Sequence, residues 1–297
     1  MPREADAAAV RELAILEQHP ARSTPPPAPR CEPLQDRSTT DYVTAAGAQV
    51  LVRYRGDLRG ARIPTVVVPA APGASALYES LIATLSVDQP VIAFDLPGHG
   101  ESDPLPGNEQ SVEAWTRVAL GVLDALGIAR ANLYGHNGGA AVALEVARVA
   151  PTRVVSLTLD APIALDAVER ASLAPRYAVS IEPSWEGAHL LRAWHHLRDQ
   201  ELWWPWFDRA HTSIKKTVPR IDPEQLTLRV REMLKQPSSY VAAWQATLGY
   251  PLLERLAEHD AAAIPTRLTA APDDVFAHLI ERARRVSARD GALASGT

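Results

Sequence analysis

The chain of 297 residues contains a single cysteine, Cys31, together with three phenylalanines and two methionines. One cysteine excludes an internal disulfide framework and every metal motif built from several thiolates. It suits a reducing compartment, and a cytoplasmic protein is the expectation. Clusters of Lys and Arg are also missing. With 30 basic and 35 acidic side chains the formal charge is −5, so neither nucleic acid nor an anionic membrane is an expected partner. No apolar run is long enough to span a bilayer. Acidic residues interrupt the opening MPREADAAAVRELAILEQHP, where a signal peptide needs an unbroken apolar core. H-E-x-x-H, G-x-G-x-x-G and the phosphate loop ending in Lys-Ser/Thr are all absent, and no cofactor is implied. What the chain has in quantity is apolar surface: 46% of its residues are hydrophobic, enough for a sizeable core.

Residues 4–18 are predicted to form a short helix with Ala9, Val10, Leu13 and Leu16 on one face, ended by Pro20 and the stiff stretch STPPPAPR. Residues 1–38 are therefore expected to be an accessory arm. From Asp41 the pattern changes. TDYVTAAGAQVLVRYRG predicts two strands around Gly47. TVVVP (65–69), PVIAFDL (90–96), ANLYG (131–135) and RVVSLTLD (153–160) predict buried strands, each separated from the next by a helical stretch. Such alternation implies an α/β protein with a mostly parallel, doubly wound sheet. The first part of this core is placed at 39–160. From Ala161 to about Asp260 the alternation gives way to a helical insertion holding six of the seven tryptophans. IPTRLTA (264–270) then resumes the sheet, so 261–297 is the second part of the core.

The stretch LYGHNGGAA (133–141) runs from a strand straight into a helix through Gly135-His136-Asn137-Gly138-Gly139. This fits the turn that presents a nucleophile, G-x-nucleophile-x-G. Its central residue needs positive φ, and Gly135 and Gly139 remove side chains that would block the close approach of strand and helix. With DLPGHGES (95–102), VVVPAAPGAS (66–75) and PTRLTAAPDD (265–274), the chain resembles the α/β-hydrolase superfamily, in particular its capped members similar to epoxide hydrolases, dehalogenases and esterases. The resemblance implies an α/β-hydrolase fold with a helical cap at 161–260. It also implies a hydrolase, or a related lyase, acting on a small apolar ester- or epoxide-like molecule. Asp274, or else Asp273, falls at the triad acid.

The departures from that pattern all lie at the chemistry. Asn137 stands where Ser, Asp or Cys is expected, and a carboxamide has no proton to lose near neutral pH. Pro69-Ala70 replaces the His-Gly of the oxyanion loop, although backbone N–H groups of Ala70 or Ala71 with Gly138 can still hold an anion. No histidine stands well beyond Asp274: His278 is one helical turn on, and RARRVSARDGALASGT shows no convincing final strand.

Asn137, His136 and Asp274 are the catalytic candidates. Ala70, Ala71, Gly138, His99, Trp194, His195 and Trp204 are the oxyanion and substrate-binding candidates, with no metal site. Each has a plainer reading. Asn tolerates the left-handed region, so Asn137 can preserve the turn without its reactivity. His136 can be a structural histidine and His99 a loop anchor. Asp160 and Ser102 can be loop or capping groups, and the tryptophans can be core. His195, His196 and His211 are further candidates for a base, and the spacing His195, His196, Asp199 lacks a convincing further metal ligand. Asn137-Gly138 is also the pairing least hindered for cyclisation to a succinimide, which the rigidity of the turn is expected to oppose. The alternative to an enzyme is an inactive relative that binds a ligand or a protein.

Overall fold

The computed structural model describes residues 37–293 apart from Thr217, Arg220 and Ala262. The expected N-terminal helix and Pro-rich arm, with Cys31, lie outside the described residues. From Ser38 onward the described residues form one compact unit. Seven strands form one sheet in the order β1-β2-β4-β3-β5-β6-β7. β1 (Thr39–Ala45) and β2 (Ala48–Arg55) are an antiparallel hairpin, and β2 also runs antiparallel to β4 (Val91–Phe94). Ala46 and Gly47, with φ of 50° and 83°, make the hairpin turn. β3 (Thr65–Val68), β4, β5 (Ala131–His136), β6 (Val154–Asp160) and β7 (Thr266–Thr269) are mutually parallel. β3 and β4 are short, mostly β-branched, and buried along their whole length, as strands covered on both faces must be.

Helices follow the strands. The single-turn Ser75–Tyr78 leads into α1 (Glu79–Leu85), and α2 (Val112–Ala125) is capped by the Ser111 hydroxyl, which accepts from the Ala114 N–H. α3 (Gly138–Val149) follows β5 with no loop between. It is buried at ten consecutive positions from Gly138 to Ala147, and its run of alanines and glycines is what lets it lie so close to the sheet. A Cβ on Gly139 would collide with the carbonyl oxygens of Val68 and Pro69, and one on Gly135 would come 2.5 Å from Gly139 O. Between β6 and β7 lie α4 (Ala167–Leu173), α5 (Ala188–Leu202), α6 (Pro223–Leu234), α7 (Pro237–Gly249) and α8 (Leu252–Ala257). After β7 the chain turns through Ala277–Leu279 into α9 (Ile280–Leu293), so β7 is the last strand among the described residues. No helix of the described residues is long and apolar enough to cross a membrane.

Chain order places the site. β3 lies between β4 and β5, so successive connections leave the sheet in opposite directions and open a crevice at the strands' carboxyl ends.

Candidate active site

The loop after β4 is built around one buried carboxylate. Asp95 accepts from the N–H groups of Ser75 at 2.5 Å and Glu101 at 2.9 Å. Burial nevertheless pushes its pKa up. Ser102 donates its hydroxyl to Asp95 O at 2.8 Å and accepts from Leu51 N–H at 2.9 Å, so it holds the loop. His99 is buried, with Nδ1 3.0 Å from Pro97 O and its ring edge-on to Trp115 at 5.7 Å. Burial lowers its pKa to about 4, leaving a neutral ring at the cavity wall.

At the end of β5, Asn137 has φ 49° and ψ −114°. This corrects one reading from sequence. The left-handed well tolerated by Asn has ψ of about +30 to +60°, whereas Asn137 sits near the first central position of a type II′ turn, at about (+60°, −120°). Its side chain is used as well. Both neighbouring groups are acceptors, so the amide nitrogen faces them: Nδ2 donates to Ala161 O at 2.9 Å and to Asp274 Oδ1 at 3.3 Å.

His136, one residue earlier, completes a chain of polar groups. Its Nε2 lies 2.9 Å from Asp274 Oδ2 and its Nδ1 lies 2.7 Å from the Tyr78 hydroxyl. That hydroxyl accepts from Ala70 N–H at 2.8 Å, so its own proton is free to point at Nδ1. The tautomer this selects carries its proton on Nε2 and gives it to Asp274. Burial raises the Asp274 pKa, but bonds from His136, the Phe276 N–H and Asn137 outweigh it and hold the carboxyl below its ordinary value. Burial also pushes the Tyr78 phenol well above its ordinary value.

These groups line one side of a cavity of about 720 Å³. The structure therefore brings Asn137, His136, Asp274, Ala70, Ala71 and His99 to one wall, with Gly138 packed behind Ala71. The Ala70 N–H is already engaged by the Tyr78 hydroxyl. Asp160 accepts from Tyr134 instead of serving His136.

Three candidates are corrected. Ala193, His196, Leu197 and Gln200 are buried on α5, which turns Trp194 and His195 away; Trp194 is half-buried, His195 is exposed, and neither faces the cavity. Trp204 packs behind the wall, its ring 5.3 Å from Phe276 and 4.9 Å from His278. Trp185 is fully exposed. Across the cavity, Leu197, Tyr240 and Trp244 stand beside Gln200, Glu201 and Arg229. The His195–His196–Asp199 spacing dissolves too. His196 Nε2 meets Gln200 at 2.9 Å and Asp199 pairs with Arg198 and Arg209. Among the described residues no group of three His, Cys, Asp or Glu side chains can hold a metal ion.

Sequence reasoning missed Tyr78. Its only local signal is a tyrosine a few residues after the β3 loop; the bond to His136 spans 58 residues.

A sheet of this order, with a nucleophile-type turn leading into a helix at its carboxyl edge and an acid after the next-but-one strand, defines the α/β-hydrolase fold. The family model described as alpha/beta hydrolase fold matches residues 64–186 of the chain. A 2-hydroxy-6-oxononadienedioate/2-hydroxy-6-oxononatrienedioate hydrolase of Paraburkholderia phymatum is 33% identical over 129 residues, 42% of this chain and 45% of that protein. The dihydrolipoyllysine-residue acetyltransferase component of the acetoin cleaving system of Pseudomonas putida is 46% identical over 81 residues, 27% of this chain and 22% of that protein. The chain thus spans less than half the length of these curated relatives. Among solved structures, a meta-cleavage product hydrolase of Pseudomonas fluorescens aligns with TM-score 0.61 at 19% identity, covering 83% of this chain and 85% of that one. Epoxide hydrolase A of Mycobacterium thermoresistibile aligns with TM-score 0.58 at 19% identity, covering 87% and 98%.

Proposed function

We propose that the chain is a hydrolase of the α/β family that cleaves a small, largely apolar ester- or epoxide-like substrate by direct attack of water. The observation that carries this reading is the hydrogen-bonded series Tyr78–His136–Asp274 on a cavity wall beside the turn at Asn137. A water in the cavity gives a proton to the Tyr78 oxygen as Tyr78 passes its own to His136 Nδ1. The phenol stays a phenol, consistent with its raised pKa. Asp274 balances the imidazolium that forms, and the Asn137 amide holds Asp274 in place. The oxygen that gains negative charge in the substrate is met by the N–H groups of Ala71 and Gly138, the latter the first of α3 and without an acceptor in its own helix. The partial similarity to a 2-hydroxy-6-oxononadienedioate/2-hydroxy-6-oxononatrienedioate hydrolase supports the hydrolytic reading.

The second reading is an inactive relative that binds a small ligand. It is favoured by one fact: both His136 nitrogens and the Asn137 amide are already engaged within the site. A panel of chromogenic esters and a styrene-type epoxide separates the two. Turnover by the wild type that falls at least about 100-fold in His136→Ala is the expected result. If the wild type and Asn137→Ser are both inert, and a serine-directed covalent probe fails to label the latter, hydrolysis at this turn loses its support and the binding role stands.

A further inference from the structure

We infer that Asn137 converts itself to aspartate in the folded protein through a cyclic imide with the Gly138 nitrogen. The inference goes beyond the proposed hydrolysis and does not depend on it, because it concerns the chain's own covalent state.

The chain has three asparagines, Asn108, Asn132 and Asn137, followed by Glu, Leu and Gly respectively. Only at Asn137 does no side chain hinder attack from the next nitrogen. Ring closure also sets a backbone condition. The five-membered ring contains Cα, C, the Gly138 nitrogen, Cγ and Cβ, so Cβ must nearly eclipse that nitrogen about the Cα–C bond. Substituents on a tetrahedral Cα are offset by about 120°, so an L residue meets this condition at ψ of about −120°, outside the helix and strand wells. Flexible chains rarely visit that rotation, whereas the turn holds Asn137 at ψ −114°. The rigidity expected to oppose cyclisation instead fixes the rotation that it requires.

Neighbouring groups assist each step. The attacking nitrogen heads α3, where the helix macrodipole favours negative charge. Ala140 N–H donates to Asn137 O at 3.1 Å and draws electron density from the same peptide unit. The departing Nδ2 lies 3.3 Å from Asp274 Oδ1, and the other oxygen of that carboxylate is 2.9 Å from His136 Nε2, so a proton source is one carboxylate away. In the first step the Gly138 N–Cγ bond forms, the Cγ–Nδ2 bond breaks, and ammonia leaves with the displaced amide proton. Water then adds to the ring. Opening at the Cγ–N bond restores the main chain and leaves aspartate. Opening at the main-chain carbonyl would insert a methylene beside Gly138, where an added Cβ already comes 2.5 Å from Ala71 O and 2.8 Å from Thr247 Cγ2. Packing therefore selects aspartate. The product puts a carboxylate at the nucleophile position, a group able to form an ester with an electrophilic carbon.

The full chain is incubated at mildly alkaline pH, once native and once unfolded in urea, and mapped by peptide mass with fragmentation that separates aspartate from isoaspartate. In the native arm the peptide containing residue 137 is expected to become about one mass unit heavier at least as fast as in urea, with aspartate the main product. Asn108 and Asn132 serve as internal controls and remain unshifted. A native Asn137 that stays unshifted while the unfolded chain converts overturns the inference, and so does isoaspartate as the main native product. The readout is a mass, so it stands whether or not any ester or epoxide is turned over.

Discussion

Tyr78 is the residue on which the site's hydrogen-bond order depends. Its oxygen receives the Ala70 N–H and faces His136 Nδ1, in a place where both partners are at least half withdrawn from water. Removing the hydroxyl leaves a donor and an acceptor unmatched at once. Tyr78→Phe is therefore expected to destabilise the fold by about 1–3 kcal/mol, the range for stranding a buried polar group. Urea unfolding measures it, and a variant as stable as the wild type would show that water replaces the phenol at no cost. Asn137 makes the complementary point. Its residue type was legible as an anomaly in the sequence, but its ψ and its grip on Asp274 were not, because both follow from where β5, β6 and the Asp274 loop meet.

Among the elements, the junction of β5 and α3 carries the tightest constraint. Gly139 is wedged against main-chain carbonyls of Val68 and Pro69, and backbone cannot rotate aside as a side chain can. Gly139→Ala should cost about 1–3 kcal/mol or more, since α3 must lift from β3 to admit one methyl group. Gly249, the last residue of α7, is the control: a Cβ there meets nothing within 4 Å. Gly249→Ala should be neutral or add up to about 1 kcal/mol, from the helix preference of Ala over Gly. Equal losses at both positions in chemical denaturation would reject the packing account. The same element explains why the turn could be read in advance. The glycine spacing is local, and strand and helix are contiguous in sequence.

At the scale of the whole molecule, two buried histidines, His99 and His196, couple stability to pH. Burial is the first cause in each: it lowers His99 to about 4 and His196 to about 3, from 6.5. Arg229 adds to the effect at His196. The unfolded chain takes up protons below about pH 6.5 while the folded chain still refuses them, so stability is complete above that pH and falls as pH drops toward 4. Each unit of difference is worth about 1.4 kcal/mol per group. Asp274, depressed below its ordinary value, loses its contribution only at lower pH still. Thermal scans should show Tm falling steadily from about pH 6.5 downward; a flat Tm between about pH 7 and 5 would contradict the burial of these rings.

The sequence by itself determined the alternating strands and the glycine-flanked turn at Asn137, while its resemblance to a known superfamily pointed to the Asp95–Ser102 loop and to Asp274, or else Asp273, as the acid. The strands and the turn rest on local rules: β-branched runs and glycines at fixed offsets. Only the tertiary structure decided which groups meet. His136 and Asp274 are 138 residues apart and Tyr78 reaches His136 across 58. It also decided that Trp194, His195 and Trp204 face elsewhere, since helical rotation and packing behind Phe276 set their direction. A chain's local sterics fix the shape of a turn; which side chains complete its chemistry depends on contacts that no stretch of sequence contains.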